Sequence, residues 1–348
     1  MRDRLCTLFD RNYLARALVL YRSLVRSGEP FQMLALCMDD DSERILAQLA
    51  LPWLEPLPLR DLEAADPELA VVRPTRDPVE YCWTATAALC LHALQRDPEA
   101  EAITYLDADL VFQRGPGAAL AEAEDAATII VPHRYAPENA ALEPLSGIYN
   151  VELMTFRRDA DGLEALHWWR ERCIEWCYRR HEDGKFGDQK YLDDWPTRFR
   201  RVHVAQSPAI GLAPWNVTAH RLERRDGEVL VDDDPLVFYH CHALRLFTGV
   251  ESVRRLGLLT RTYRYTEGPV PLAWQTAYPI GPEELELVWA PYVAELSQAM
   301  ADIRLVEPGF SAGLTPVAPS EVALAAGREL LPAGVRRVLR RAVGSQAA

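Results

Sequence analysis

Two carboxylates one residue apart close the run Ile103-Thr104-Tyr105-Leu106-Asp107-Ala108-Asp109-Leu110-Val111-Phe112, an otherwise apolar segment built like a buried strand. Like charges set together away from water raise each other's pKa and are costly unless a cation neutralises them. On an extended chain residues two apart share a side, so a turn at the strand end can aim Asp107 and Asp109 at one ion. Hard oxygen donors of this kind suit magnesium or manganese, which keep positions open for substrate phosphates. A polar turn closing a strand uses the same residue type and is the plainer reading of an isolated Asp-x-Asp.

A second apolar run, Leu236-Val237-Phe238-Tyr239, ends in His240-Cys241-His242, again two polar side chains on one side. A lone histidine is more often structural, but a pair at a strand end beside Asp-x-Asp supplies a third metal ligand, with either His240 or His242 in that place. Thr7-Leu8-Phe9-Asp10-Arg11-Asn12-Tyr13 passes from a strand end to a helix start, a natural nucleotide cradle with aromatics to stack, although Asp10 or Asn12 would equally cap a turn. Three further polar clusters are Ser146 to Leu153, Phe186 to Trp195 and Ala213 to Asn216. Asp188 within the second of these reads as a helix cap or as a catalytic carboxylate.

The elements that must carry these residues follow from periodicity. Strand-like segments at Leu5 to Phe9, Met33 to Met38 and Ile103 to Leu106 alternate with helix-like ones at Leu14 to Arg26, around Ser42 to Leu49, and at Val79 to Leu94. Such alternation predicts an α/β chain with a mostly parallel sheet flanked by helices, and ligands bind outside the carboxyl ends of its strands. Ala127 to Val131, Tyr149 to Phe156, Val202 to Val204, Val229 to Val231 and Leu236 to Tyr239 read as later strands. His133 to Leu145, with two prolines, reads as a loop, and Asp161 to Arg179 as an amphipathic helix. The pattern predicts a catalytic domain over 1–250 and a helical or irregular C-terminal appendage over 251–348.

With 348 residues, 49% apolar and 26% charged, the chain can bury a substantial core. A net charge of −13 argues against nucleic-acid binding and requires an anionic substrate to be met locally by metal, helix ends or arginines. No apolar stretch approaches the roughly 20 residues that span a bilayer, and no secretory signal opens the chain, which predicts a cytoplasmic protein. From Glu321 onward the balance is +3; Arg336, Arg337, Arg340 and Arg341 lie opposite Val335, Val338, Leu339 and Val343, a basic terminal helix that could touch a membrane surface or simply be solvated. Seven cysteines show neither zinc spacing nor a disulfide framework.

In their order these segments resemble the nucleotide-sugar-dependent glycosyltransferases of the GT-A type, in particular the family-eight-like bacterial enzymes, over roughly residues 5 to 247. The resemblance implies that Asp107, Asp109 and His240 hold manganese or magnesium, with His242 as the alternative ligand. It implies donor contacts from Thr7, Phe9, Asp10, Tyr13, Asp107, Asn150, Asn216 and Arg245, and places Asp188 and Gln189 at the sugar and acceptor side. One position departs from the pattern: Glu152 stands where the family commonly has glycine, two residues past the asparagine. A carboxylate there could crowd the sugar pocket, contact a sugar group or act as a base.

The implied reaction moves a sugar from a nucleoside-diphosphate donor, with UDP expected, to an unidentified acceptor hydroxyl, with retention of configuration. Asp188, Gln189 and Glu152 are the candidates for stabilising the oxocarbenium-like sugar or accepting the proton, and the patch Glu182 to Gly187 for excluding water. A sugar nucleotidyltransferase would carry a Gly-rich basic loop after the first strand, which Phe9 to Tyr13 lacks. A non-catalytic nucleotide-sugar binder is the other reading that Glu152 leaves open.

Overall fold

The computed structural model describes residues 3–123, 125–248, 264–317 and 327. Seven strands make its central sheet: β1 (Asp3–Phe9), β2 (Phe31–Cys37), β3 (Leu54–Pro58), β4 (Ala102–Leu106) and, beyond the short β5 (Leu110–Phe112), β6 (Thr128–Pro132), β7 (Tyr149–Arg157) and β8 (Val202–Val204). Their order is β3-β2-β1-β4-β7-β6-β8. Strands β3, β2, β1 and β4 run parallel, as do β6 and β8, while β7 lies antiparallel between β4 and β6. The sheet is therefore mostly parallel, as the alternation of elements predicts.

Five longer helices matter for the site: α1 (Leu14–Ser27), α2 (Asp40–Leu49), α3 (Pro78–Arg96), α4 (Ala160–Glu175) and α5 (Ala290–Val306). Helices α3 and α4 cover one face, where Leu89, Leu94, Leu166 and Trp169 pack with Cys6, Tyr105, Met154 and Phe156 of the strands. On the other face Leu14, Leu18, Val293, Leu296 and Met300 pack with Phe9 and Ala35. Because both faces are covered, the strands read as nearly continuous apolar runs. Helix α3 starts in a reciprocal capping box: Asp77 accepts from the Glu80 amide, and Glu80 accepts from the Asp77 amide.

Two local expectations change. The helix expected to reach Arg179 stops at Glu175, because Trp176 turns extended at φ −153° and leaves Cys177 beyond the last turn. The segment expected as a loop after His133 contains helical turns at Pro137–Leu142 and Glu143–Ser146; each proline sits in a first turn, where its missing N–H costs nothing.

Strands β9 (Leu222–Arg225), β10 (Glu228–Val231) and β11 (Asp234–Pro235) form a small antiparallel sheet, and β12 (Phe238–His240) pairs with β5. A four-stranded sheet joins β13 (Leu244–Thr248), β14 (Arg264–Thr266), β15 (Leu272–Thr276) and β16 (Leu314–Pro316) in the order β14-β15-β13-β16. A division at residue 250 would split this sheet and the core that Leu244 and Leu246 share with Leu272, Trp274 and Trp289. Among the described residues no helix is long and apolar enough to cross a membrane, and the basic segment around Arg336 to Arg341 lies outside them.

Candidate functional site

Strand β4 ends at buried Leu106, and the chain turns there. The Asp107 amide donates to the Glu152 carbonyl on β7 at 2.9 Å, and the Leu110 amide to the Asp107 carbonyl at 3.3 Å. The chain then re-enters as β5, whose antiparallel pairing with β12 sets Leu110 opposite His240. The Cys241 amide closes the arrangement on the Asp109 carbonyl at 3.0 Å. One turn and one short ladder thus bring both aspartates and His240 to the carboxyl end of a central parallel strand.

The side chains converge. His240 Nε2 lies 3.0 Å from Asp109 Oδ1 and 3.9 Å from Asp107 Oδ2, and Nδ1 lies 2.6 Å from Glu152 Oε2. Tyr105 donates its hydroxyl to Asp107 Oδ1 at 2.9 Å. Asp109, His240 and the exposed His242 each present a ligand atom within 4.8 Å of the others, so both histidines stand at the cluster. Burial lifts Asp107 to about 6; burial lifts Asp109 too, but the charge of His240 outweighs it and holds Asp109 at about 2. Burial opposes the charge on His240, yet Asp109 and Glu152 push its pKa well above the usual value. Asp109, His240 and His242 in mutual reach, with Asp107 3.9 Å from His240, fit a small divalent cation by donor chemistry and by spacing.

The nucleotide side is less uniform. Tyr13 is exposed, has the Arg16 guanidinium 4.4 Å over its ring, and has its phenol pushed to about 12, chiefly by the charge of Asp109. Phe9, expected as a stacking surface, is buried in the core, and Thr7 is buried with its hydroxyl unpartnered among the described residues. Asp10 caps the turn, accepting from the Asn12 and Tyr13 amides at 2.9 and 3.3 Å. Asn150 Oδ1 accepts from the Glu152 amide at 2.9 Å. Asn216, expected at the donor, spends its amide on the backbone of Ala213, His133 and Gly211, bracing the loop that carries Trp215. Arg245 stands exposed over the Phe247 ring, 5.3 Å away.

On the sugar side Asp188 is buried and makes no side-chain cap, and burial with the charge of Asp107 lifts its carboxyl to about 8. Gln189 Nε2 donates to the Ser146 carbonyl at 2.6 Å. The patch Glu182 to Gly187 forms a tight turn, with Phe186 stacked on His181 and tilted against Trp83.

Sequence reasoning missed several neighbours. Arg16 is buried within α1, donates to the Asn12 and Leu244 carbonyls, and is a cation whose charge reaches Asp109. Trp215 sets its ring 5.2 Å from His240 and 5.5 Å from His242, with His133 also 5.4 Å away. His133 stacks on Tyr135, and Tyr278 approaches His242. The available signal was an arginine inside an otherwise buried helical turn and a tryptophan beside an already noted asparagine. Cavities of about 390 and 370 Å³ open at the opposite end of the sheet, around Arg4, Gln32 and Leu54, and are lined by none of these residues.

No family model matches the chain. It is 32% identical to the uncharacterized protein YfnF of Bacillus subtilis strain 168 over 269 residues, which are 75% of this chain and 88% of YfnF. It is 28% identical to YfnD of the same organism over 313 residues, 89% of this chain and 94% of YfnD. Among solved structures, mouse xyloside xylosyltransferase 1 is similar over 70% of this chain and 98% of its own, at 15% identity and a TM-score of 0.43. The galactosyltransferase LgtC is similar over 69% of this chain and 87% of its own, at 13% identity and a TM-score of 0.44. The chain belongs to the family of YfnF.

Proposed function

We propose that the chain is a metal-dependent glycosyltransferase that moves a sugar from a nucleoside-diphosphate sugar, a UDP-sugar first among the candidates, to an acceptor hydroxyl with retention. The observation that carries this reading is the meeting of Asp107, Asp109 and His240 at the carboxyl end of β4, with Nε2 3.0 Å from Asp109. Those three residues would hold manganese or magnesium, with His242 in reach. Such an ion supplies Lewis-acid neutralisation of the charge that grows on a leaving diphosphate.

The remaining steps fall to the chain's own side chains. Tyr13 offers an open ring beside the carboxylates, suited to cover a nucleotide base. Asp188, lifted to about 8, holds its proton at neutral pH and can donate a hydrogen bond to a sugar hydroxyl. Gln189, its nitrogen engaged by Ser146, has its amide oxygen to set against positive charge developing on the sugar ring. The turn Glu182 to Gly187 is the segment to exclude water.

Thermal shift with UDP-, GDP-, TDP- and CMP-sugars, each with and without manganese, tests the reading, because a ligand of the folded state raises stability by RT ln(1 + [L]/Kd). One donor should raise the melting temperature only with metal and should then release nucleoside diphosphate. No metal-dependent shift for any donor would overturn the proposal; a shift without release would identify a nucleotide-sugar binder.

A further inference from the structure

We infer that Glu152, the position at which this chain departs from the family it resembles, is a positioning residue that fixes the ring of the metal ligand His240. The inference rests on the metal site proposed above. Strand β7 is buried along nearly its whole length, and Glu152 is 0% exposed at its centre. An ionised carboxylate in such a place costs several kcal/mol unless it is paired, so its retention calls for a partner. It has one: Oε2 lies 2.6 Å from His240 Nδ1.

That contact decides which nitrogen faces the aspartates. The ring is flanked by Trp215 at 5.2 Å and 82° and by His242 at 5.4 Å and 81°. Edge-on aromatic contacts limit tilt, but they do not distinguish a ring from the same ring flipped by half a turn. An Nδ1–H donated to Glu152 does, and it makes Nε2 the nitrogen that would meet a cation, in place of its proton, where Asp109 and Asp107 converge.

The surroundings are shaped for this carboxylate. Gly211 holds φ +91°, and a Cβ there would come 2.7 Å from Glu152 Oε1 and 2.4 Å from Val131 Cγ1. Among the described residues Oε1 itself has no hydrogen-bond partner. The charge of Glu152 is also felt at Arg134, whose guanidinium is bound to the Ile210 and Ala205 carbonyls. The second oxygen is thus accommodated without being satisfied, so the His240 contact is the one that justifies burying the group.

Calorimetric titration of Mn²⁺ alone into the full chain tests this, with E152Q, D109N, H240A and H240A/E152Q as variants. E152Q is isosteric, and it should weaken Mn²⁺ binding about 10- to 100-fold, the usual cost of removing a carboxylate behind a metal-bound histidine. In the H240A background the same change should have no further effect. Should E152Q fail to fold, E152D keeps the charge, draws it back by one methylene, and should weaken binding in the same range. Mn²⁺ bound by E152Q as by wild type, or an equal loss with and without His240, would overturn the inference while leaving the metal site standing if D109N abolishes binding. Absence of Mn²⁺ binding by wild type would instead overturn the metal site on which it rests.

Discussion

Asp188 carries the plainest pH signature at the residue scale. Its carboxyl sits at about 8 in the folded protein, against 3.8 when unperturbed. A raised folded pKa means that the protonated form stabilises the fold; this contribution is complete below about pH 4 and is lost as pH rises through about 8. Asp188→Asn removes that dependence. The stability of the variant relative to wild type should therefore increase with pH across this window, by at most about 1.4 kcal/mol per pH unit. Urea melts of the metal-free proteins at pH 5 and pH 8 check it, and a pH-independent difference would contradict it. Ala243, just past His242, holds φ +59°, a left-handed conformation that suits glycine. Ala243→Gly should raise stability by roughly 0.5–1 kcal/mol, the left-handed strain relieved less the added chain entropy, as read from the same melts. Asp107, Asp109 and His240 are legible in sequence because polar residues at the ends of apolar strands are conspicuous. The Glu152 contact is not, since its partner lies 88 residues away and only the tertiary fold joins them. Phe9 and Tyr13 read alike in sequence, yet β1 is covered on both faces and buries Phe9, which leaves Tyr13 as the open ring.

At the scale of elements, the site depends on β4 being held firmly from behind. Helix α3 packs against that strand and begins at the Asp77 capping box. Asp77→Ala should cost about 1 kcal/mol by losing the cap, with Mn²⁺ affinity unchanged, because the cap lies at the helix start and not at the cluster. Chemical denaturation paired with metal titration checks both halves; a loss of affinity in a folded variant would contradict the second. The alternation of strands and helices is legible because period 2 and period 3.6 leave different apolar patterns. The antiparallel direction of β7 is not, since a strand buried on both faces reads the same either way along the sheet. That insertion is what sets Glu152 behind His240.

At the scale of the whole molecule, the last described segments are structural partners of the first. Strand β13 is flanked by β15 and β16, and α5 packs on the core that α1 builds. A chain ending at residue 248 would expose Leu246, Phe247 and the α1 face, so it should lose cooperative unfolding. A sigmoidal thermal melt of that shortened chain would show instead that the first part folds alone. The pairing of β13 with β15 and β16 runs across the position near residue 250 at which periodicity weakens, and sheet pairing across a long connection leaves no local mark in a sequence. The strongly negative chain, −13 overall, also bears on the central claim, because it gives an anionic nucleotide no general attraction. On the proposed reading, binding comes from a local cation. Calorimetric titration of uridine diphosphate into wild type and D109N, with and without Mn²⁺, measures this directly. The account predicts binding by wild type only in the presence of Mn²⁺ and none by D109N; equal binding without metal, or by D109N, would contradict it.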